Sequence, residues 1–97
     1  MKIKGVIRES VEETDKSVIV EFVGDDLKQH FEVHCNFSPF AIDMQKWDTW
    51  IFSIKWKSEI FTEPKTGKKS YFTHLICDKA EAYHQSRLTE KSKNGND

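Results

Sequence analysis

The sequence predicts an all-β domain: a five-stranded Greek-key barrel in the order β-β-β-α-β-β. Three observations carry this. Apolar and polar residues alternate with a period of two in several short runs, the mark of half-buried strands. Turn-forming clusters separate the runs: Gly24-Asp25-Asp26, and later Glu63-Pro64-Lys65-Thr66-Gly67-Lys68-Lys69. One stretch, Asn36 to Gln45, drops the alternation and opens on Ser38-Pro39, where a helical turn can start because proline is tolerated in the first turn.

Lys2 to Arg8 is expected as strand one, with Ile3 and Ile7 inward. Gly5 inside it suggests a bend or bulge of the kind a small barrel uses to curl. Glu9 to Lys16 is polar and acidic and reads as a loop. Ser17 to Val23 (SVIVEFV) is strand two, rich in β-branched residues. Lys28 to Cys35 is strand three, with Phe31, Val33 and Cys35 on one face and His30, Glu32 and His34 on the other. Phe37, Phe40, Ile42 and Met44 give the next segment an apolar side, so a short helix or packed loop should plug one end of the barrel.

Lys46 to Glu81 then forms a long hairpin, strands four and five. Trp50, Phe52, Ile54 and Trp56 fall on one side and are expected in the core, while Ile51, Ser53, Lys55, Lys57 and Glu59 fall on the other. In the return run Tyr71, Thr73, Leu75 and Cys77 oppose Phe72, His74, Ile76 and Asp78. The domain is therefore expected over 1–83, with 84–97 a mobile polar tail. This element order is that of the OB-fold. In its usual arrangement strands three and five are neighbours, which points Cys35 and Cys77 inward together as buried thiols.

Length and composition bound the rest. Ninety-seven residues suffice for one small core. No apolar run approaches a membrane span, and no apolar block follows the lysines of Met1-Lys2-Ile3-Lys4, so a secretion signal is not expected and a cytoplasmic setting is the default. There the two cysteines should be reduced. The net charge of −1 hides an asymmetry: residues 9–32 hold eight acids against two lysines, whereas 46–79 hold seven lysines against four acids. A basic surface on the last hairpin follows from that, though not a generally cationic protein.

Holding an unpaired polynucleotide takes cations that track phosphates and rings that stack on bases. Lys55 and Lys57 on strand four, with Lys65, Lys68 and Lys69 at the hairpin tip, supply the first; Phe61, Phe72 and His74 supply the second. Plainer readings exist for each. Tip lysines also serve solubility, Lys55 and Lys57 also guard an edge strand, and Phe61 and Phe72 also suit the closing of a barrel end. His30, His34 and His74 have residue types that bind zinc, yet no paired cysteine motif accompanies them and no metal or cofactor is expected. Catalysis is not expected either. Glu12-Glu13 and Asp25-Asp26 are adjacent acids that would point to opposite faces, Ser38 and Cys77 lack an evident base, and no glycine-rich phosphate loop is present.

At several points the chain resembles the small single-domain OB-fold proteins of the single-stranded-DNA-binding type found in bacteria and their phages. Lys2-Ile3-Lys4-Gly5-Val6-Ile7 looks like their first strand and Phe31-Glu32-Val33 like their third. Lys46-Trp47-Asp48-Thr49-Trp50 stands where the family has a Lys-Gly-Asp-x-Val turn, with Trp47 in place of the glycine. Phe61, Gly67 and Tyr71-Phe72-Thr73 match its last hairpin. The tail lacks the acidic stretch ending in Pro-Phe that the classical bacterial members use to recruit partners. The resemblance implies a non-catalytic protein that coats single-stranded DNA, or RNA, with little sequence preference during replication, recombination or repair. An OB barrel with an exposed strand-one edge commonly pairs with a copy of itself, so a homodimer or higher homo-oligomer is expected, with replication or recombination proteins as further partners. The competing expectation is a protein–protein interaction module on the same barrel, a replisome accessory or inhibitor that does not touch nucleic acid.

Overall fold

The computed structural model describes residues 1–85. Five strands, β1 (Lys2–Ile7), β2 (Ser17–Phe22), β3 (Phe31–Cys35), β4 (Thr49–Thr62) and β5 (Lys69–His84), close a barrel in the order β1-β2-β3-β5-β4. All neighbours are antiparallel except β3 and β5, which run parallel from Val33↔Leu75 to Cys35↔Cys77. This all-β ring is consistent with the predicted OB-fold. From residue 86 on, the expected tail lies outside the described residues, and β5 itself runs to His84. No helix among the described residues is long and apolar enough to cross a membrane.

Alternation sets the core. Ile7, Val18, Val20, Val33, Cys35, Trp50, Phe52, Ile54, Leu75 and Cys77 point inward from the five strands and are buried, with Met44 added from the loop before β4. Ile3 and Phe31 pack against this cluster. Gly5 has a different role from the expected bend, because β1 keeps an unbroken register with both neighbours. A Cβ built on Gly5 would sit 2.3 Å from Val20 Cγ1, so the glycine lets β2 and the core close over β1. The bulges lie in β5, where Tyr83 and Asp78 are each extra residues against β4.

The expected helix between strands three and four is absent; the segment is the packed loop that was its alternative. It begins as a helix would, with Ser38 Oγ accepting from Ala41 N–H at 3.2 Å. It then stops after one turn. Met44 N–H bonds Pro39 C=O and Asp43 N–H bonds Phe40 C=O, both at 3.0 Å, and Asp43 sits at φ 70°. That pair of bonds around a left-handed residue is a Schellman stop. The stop drives Met44 into the barrel mouth, and the buried side chains of Met44 and Pro39 close that end.

Candidate nucleic-acid interface

The buried interior ends at Ile54 on β4 and Leu75 on β5, but β4 and β5 do not. Their ladder continues from Lys55↔Ile76 to Thr62↔Lys69, and nearly every residue in it is exposed. This two-stranded arm leaves the barrel because β3 supplies no pairing to β5 before Leu75. The arm closes on a turn in which Gly67, at φ 70°, donates its N–H to Glu63 C=O at 2.8 Å. Trp56 shows the consequence. Its parity is that of Trp50 and Phe52, as expected, but it sits at the barrel rim opposite Leu75 and is 65% exposed instead of buried.

Directly paired residues share a face of the arm. One face carries Lys55, Lys57, Glu59 and Phe61 from β4 with Ile76, His74, Phe72 and Ser70 from β5. Five of the sequence-expected site residues, Lys55, Lys57, Phe61, Phe72 and His74, are therefore brought together. Lys65 and Lys68 lie in the turn, and Lys69, paired with Thr62, falls on the opposite face. Phe61 and Phe72 are about half exposed, so neither is used to close a barrel end.

The face is not uniformly basic. Lys55 Nζ lies 2.6 Å from Asp78 Oδ2, an acid that the second β5 bulge turns outward and that also accepts from Asn36 Nδ2. The hydrogen bond to Asp78 raises the Lys55 pKa above its ordinary value, and the same bond lowers that of Asp78. His74 Nε2 meets Glu59 Oε2 at 3.0 Å and its ring contacts His34 of β3 edge-on, with centroids 5.5 Å apart. A shallow groove there is lined by His34, Lys57, Glu59, His74 and Ile76. Among the described residues, Lys57, Lys65, Lys68 and Lys69 make no ion pair, and no group of three or more His, Cys, Asp or Glu is arranged to hold a metal ion. His30 instead faces Glu21 at 3.6 Å.

Sequence reasoning missed two further groups of rings. The opposite face of the arm shows Trp56, Ile60 and Tyr71, all more than half exposed, with no charge until Lys69. At its root an entirely apolar groove opens between Met1, Ile3, Phe22, Phe31, Ile54, Trp56 and Leu75. The outward side of β1 is the second. There Lys4 Nζ stands 3.9 Å from the centroid of Tyr83, which the first β5 bulge exposes, and Arg8 Cζ stands 4.6 Å from that of Trp47. The alternation Lys2, Lys4, Arg8 was the available signal for it. By contrast, the outward side of β2 and β3 presents Glu21 and Glu32.

The two cysteines pair in parallel register inside the barrel, and neither forms a disulfide. Burial pushes the Cys35 thiol up to about 12 and raises Cys77 as well, which leaves both far from the reactive thiolate.

No family model matches the chain, and no curated protein does. Among solved structures it is similar to the crystal structure of a mitochondrial single-stranded DNA-binding protein from S. cerevisiae, with a TM-score of 0.54 and 13% identity over 88% of this chain and 94% of that one. At that identity the likeness shows the fold alone, a closed five-stranded barrel of the OB type.

Proposed function

We propose that the protein binds single-stranded nucleic acid, DNA in the first instance, through the β4–β5 arm. The observation that carries this is the co-planar set Lys57, Phe61, Phe72 and His74, with two rings exposed that the core does not need. Exposed rings beside unpaired ammonium groups are what a strand requires: stacking contributes ~1–3 kcal/mol per base and is indifferent to base identity. OB-folds offer the β2–β3 face and two loops to oligonucleotides. Here Glu21 and Glu32 occupy that face and acids fill 9–15, so repulsion concentrates binding on the arm. The fold shared with a single-stranded-DNA-binding protein supports the reading. Coating of unpaired strands in replication, recombination or repair, in the cytoplasm of a bacterial or phage-infected cell, is the setting we propose for it.

The test is fluorescence anisotropy of a labelled oligo-dT at low and high salt. The intact chain should bind, less tightly as salt rises, and the double substitution F61A/F72A should weaken binding about tenfold or more. Absence of binding at low salt would sink the proposal.

The uncharged face with Trp56, Ile60 and Tyr71 favours a second reading, in which the arm docks on protein, a second copy of this chain included. It fits the interaction-module expectation, and the two readings use opposite sides of one hairpin.

A further inference from the structure

One bulky residue beside the barrel combines a left-handed backbone with a half-exposed ring. Trp47 has φ 76°, a left-handed conformation that a bulky side chain rarely adopts and that glycine adopts freely. Two backbone bonds pin it there. Its N–H donates to Ile7 C=O at 2.7 Å, and the next residue's C=O accepts from Ile7 N–H at 2.9 Å. Asp48, itself 1% exposed, accepts from Gln45 N–H at 3.0 Å and fixes the turn from within. The backbone strain gains no burial in return, since Trp47 is 51% exposed. Strain held in place by surrounding structure points to function.

The ring has cationic neighbours on two elements. Arg8 Cζ lies 4.6 Å and Lys46 Nζ 5.3 Å from its centroid. Arg8 also approaches Glu21 Oε1 at 3.6 Å, while its buried Nε has no hydrogen-bond partner among the described residues. Glu21 also faces His30 at 3.6 Å, so one carboxylate is shared between two partners. Four positions back on the same side of β1, Lys4 covers Tyr83, a second exposed ring beside a cation. The arm springs from the other end of the barrel, where β4 leaves it and β5 enters.

From this geometry we infer a second contact region for the strand: Trp47 is a stacking platform for a nucleobase, with Arg8 and Lys46 beside it for the flanking phosphates. The inference rests on the nucleic-acid reading of the arm and extends it. A strand held by the arm continues across the β1 side, past Lys4 and Tyr83, to Trp47. The acids of 9–15 border this region, so the ring and its two cations must outweigh them locally, which gives the contact a steeper salt response than stacking alone.

The experiment is anisotropy with an oligo-dT of about 30 nucleotides, well beyond the 4–16 covered by one OB-fold, on the full chain. W47G removes the ring and puts the residue suited to φ 76° in its place, so its thermal midpoint should not fall. Its affinity should drop about tenfold, the equivalent of ~1.4 kcal/mol. W47Y, which keeps a ring, should stay within about threefold of the native chain. Native affinity in W47G, alongside weakened binding in F61A/F72A, overturns the platform and leaves the arm standing. Equal losses in W47G and W47Y overturn it too, because the ring would not then be the cause. A native chain that binds no oligonucleotide overturns both readings at once.

Discussion

Gly5 and Trp47 are opposite cases of fit between side chain and backbone. At Gly5 the space is full. An added methyl would collide with Val20, which is completely buried and has one preferred rotamer to give up. Gly5→Ala should therefore destabilise the barrel by about 1–3 kcal/mol, the usual range for overpacking, seen as a lower urea midpoint with an unchanged slope. At Trp47 the space is open and the dihedral is wrong. The resemblance set a tryptophan where that family has a glycine, and the structure gives Trp47 a glycine-type conformation. Phe61 and Phe72 are a third kind of residue. Their alternation was readable, but whether they closed a barrel end or met solvent depended on where β3 stops pairing with β5, and no local pattern records that.

At the level of elements, β5 contributes through its irregularities. Its two extra residues, Asp78 and Tyr83, are the ones turned outward onto Lys55 and Lys4. Asp78 has its pKa lowered by the Lys55 hydrogen bond, so its contribution to stability is present above the ordinary carboxylate value of 3.8 and is lost as pH falls below that through the folded-state value. D78N should accordingly lower the thermal midpoint slightly at pH 6, and by progressively less as pH falls below 3.8, by scanning calorimetry. The same substitution frees Lys55, and low-salt affinity for oligo-dT should rise about twofold. The five strands were legible from period-two alternation to within a few residues. The missing helix was not, because a capped start at Ser38 looks the same whether a turn continues or stops, and Asp43 gives only a weak left-handed signal. Both bulges were equally silent, since an extra residue changes which face a side chain takes without changing composition.

For the molecule as a whole, charge is partitioned by surface. Residues 9–32 put acids on the β2–β3 side and in the 9–15 loop, while the arm carries Lys57, Lys65, Lys68 and Lys69 beside fewer acids, Glu59 and Glu63, a partition that a net charge of −1 conceals. Four or five phosphate contacts on the arm would give a log–log salt slope near −3, roughly a 60-fold loss between 50 and 200 mM salt. Assembly is the other whole-molecule question. Strand-one edge pairing, expected of an OB barrel, has less room than anticipated: β1 is paired to β4 from Lys2 to Val6 and to β2 from Gly5 to Ile7, and Lys4 C=O accepts from Val23 N–H at 2.9 Å, so only Lys2 and Ile3 have a side not paired to β2. The uncharged face of the arm is the better candidate. Should a second copy cover it, light scattering will give a dimer for the native chain and a monomer for Ile60→Glu; a native monomer at tens of micromolar would exclude that assembly.

The sealed thiols have a practical outcome. Cys35 and Cys77 sit in the barrel interior with ionisation pushed out of reach, so they should ignore a maleimide dye while the protein stays folded. A single cysteine introduced at Thr66, on the solvent-facing tip, would then be the sole target, and a fluorophore there could report strand engagement in real time with both native cysteines left in place.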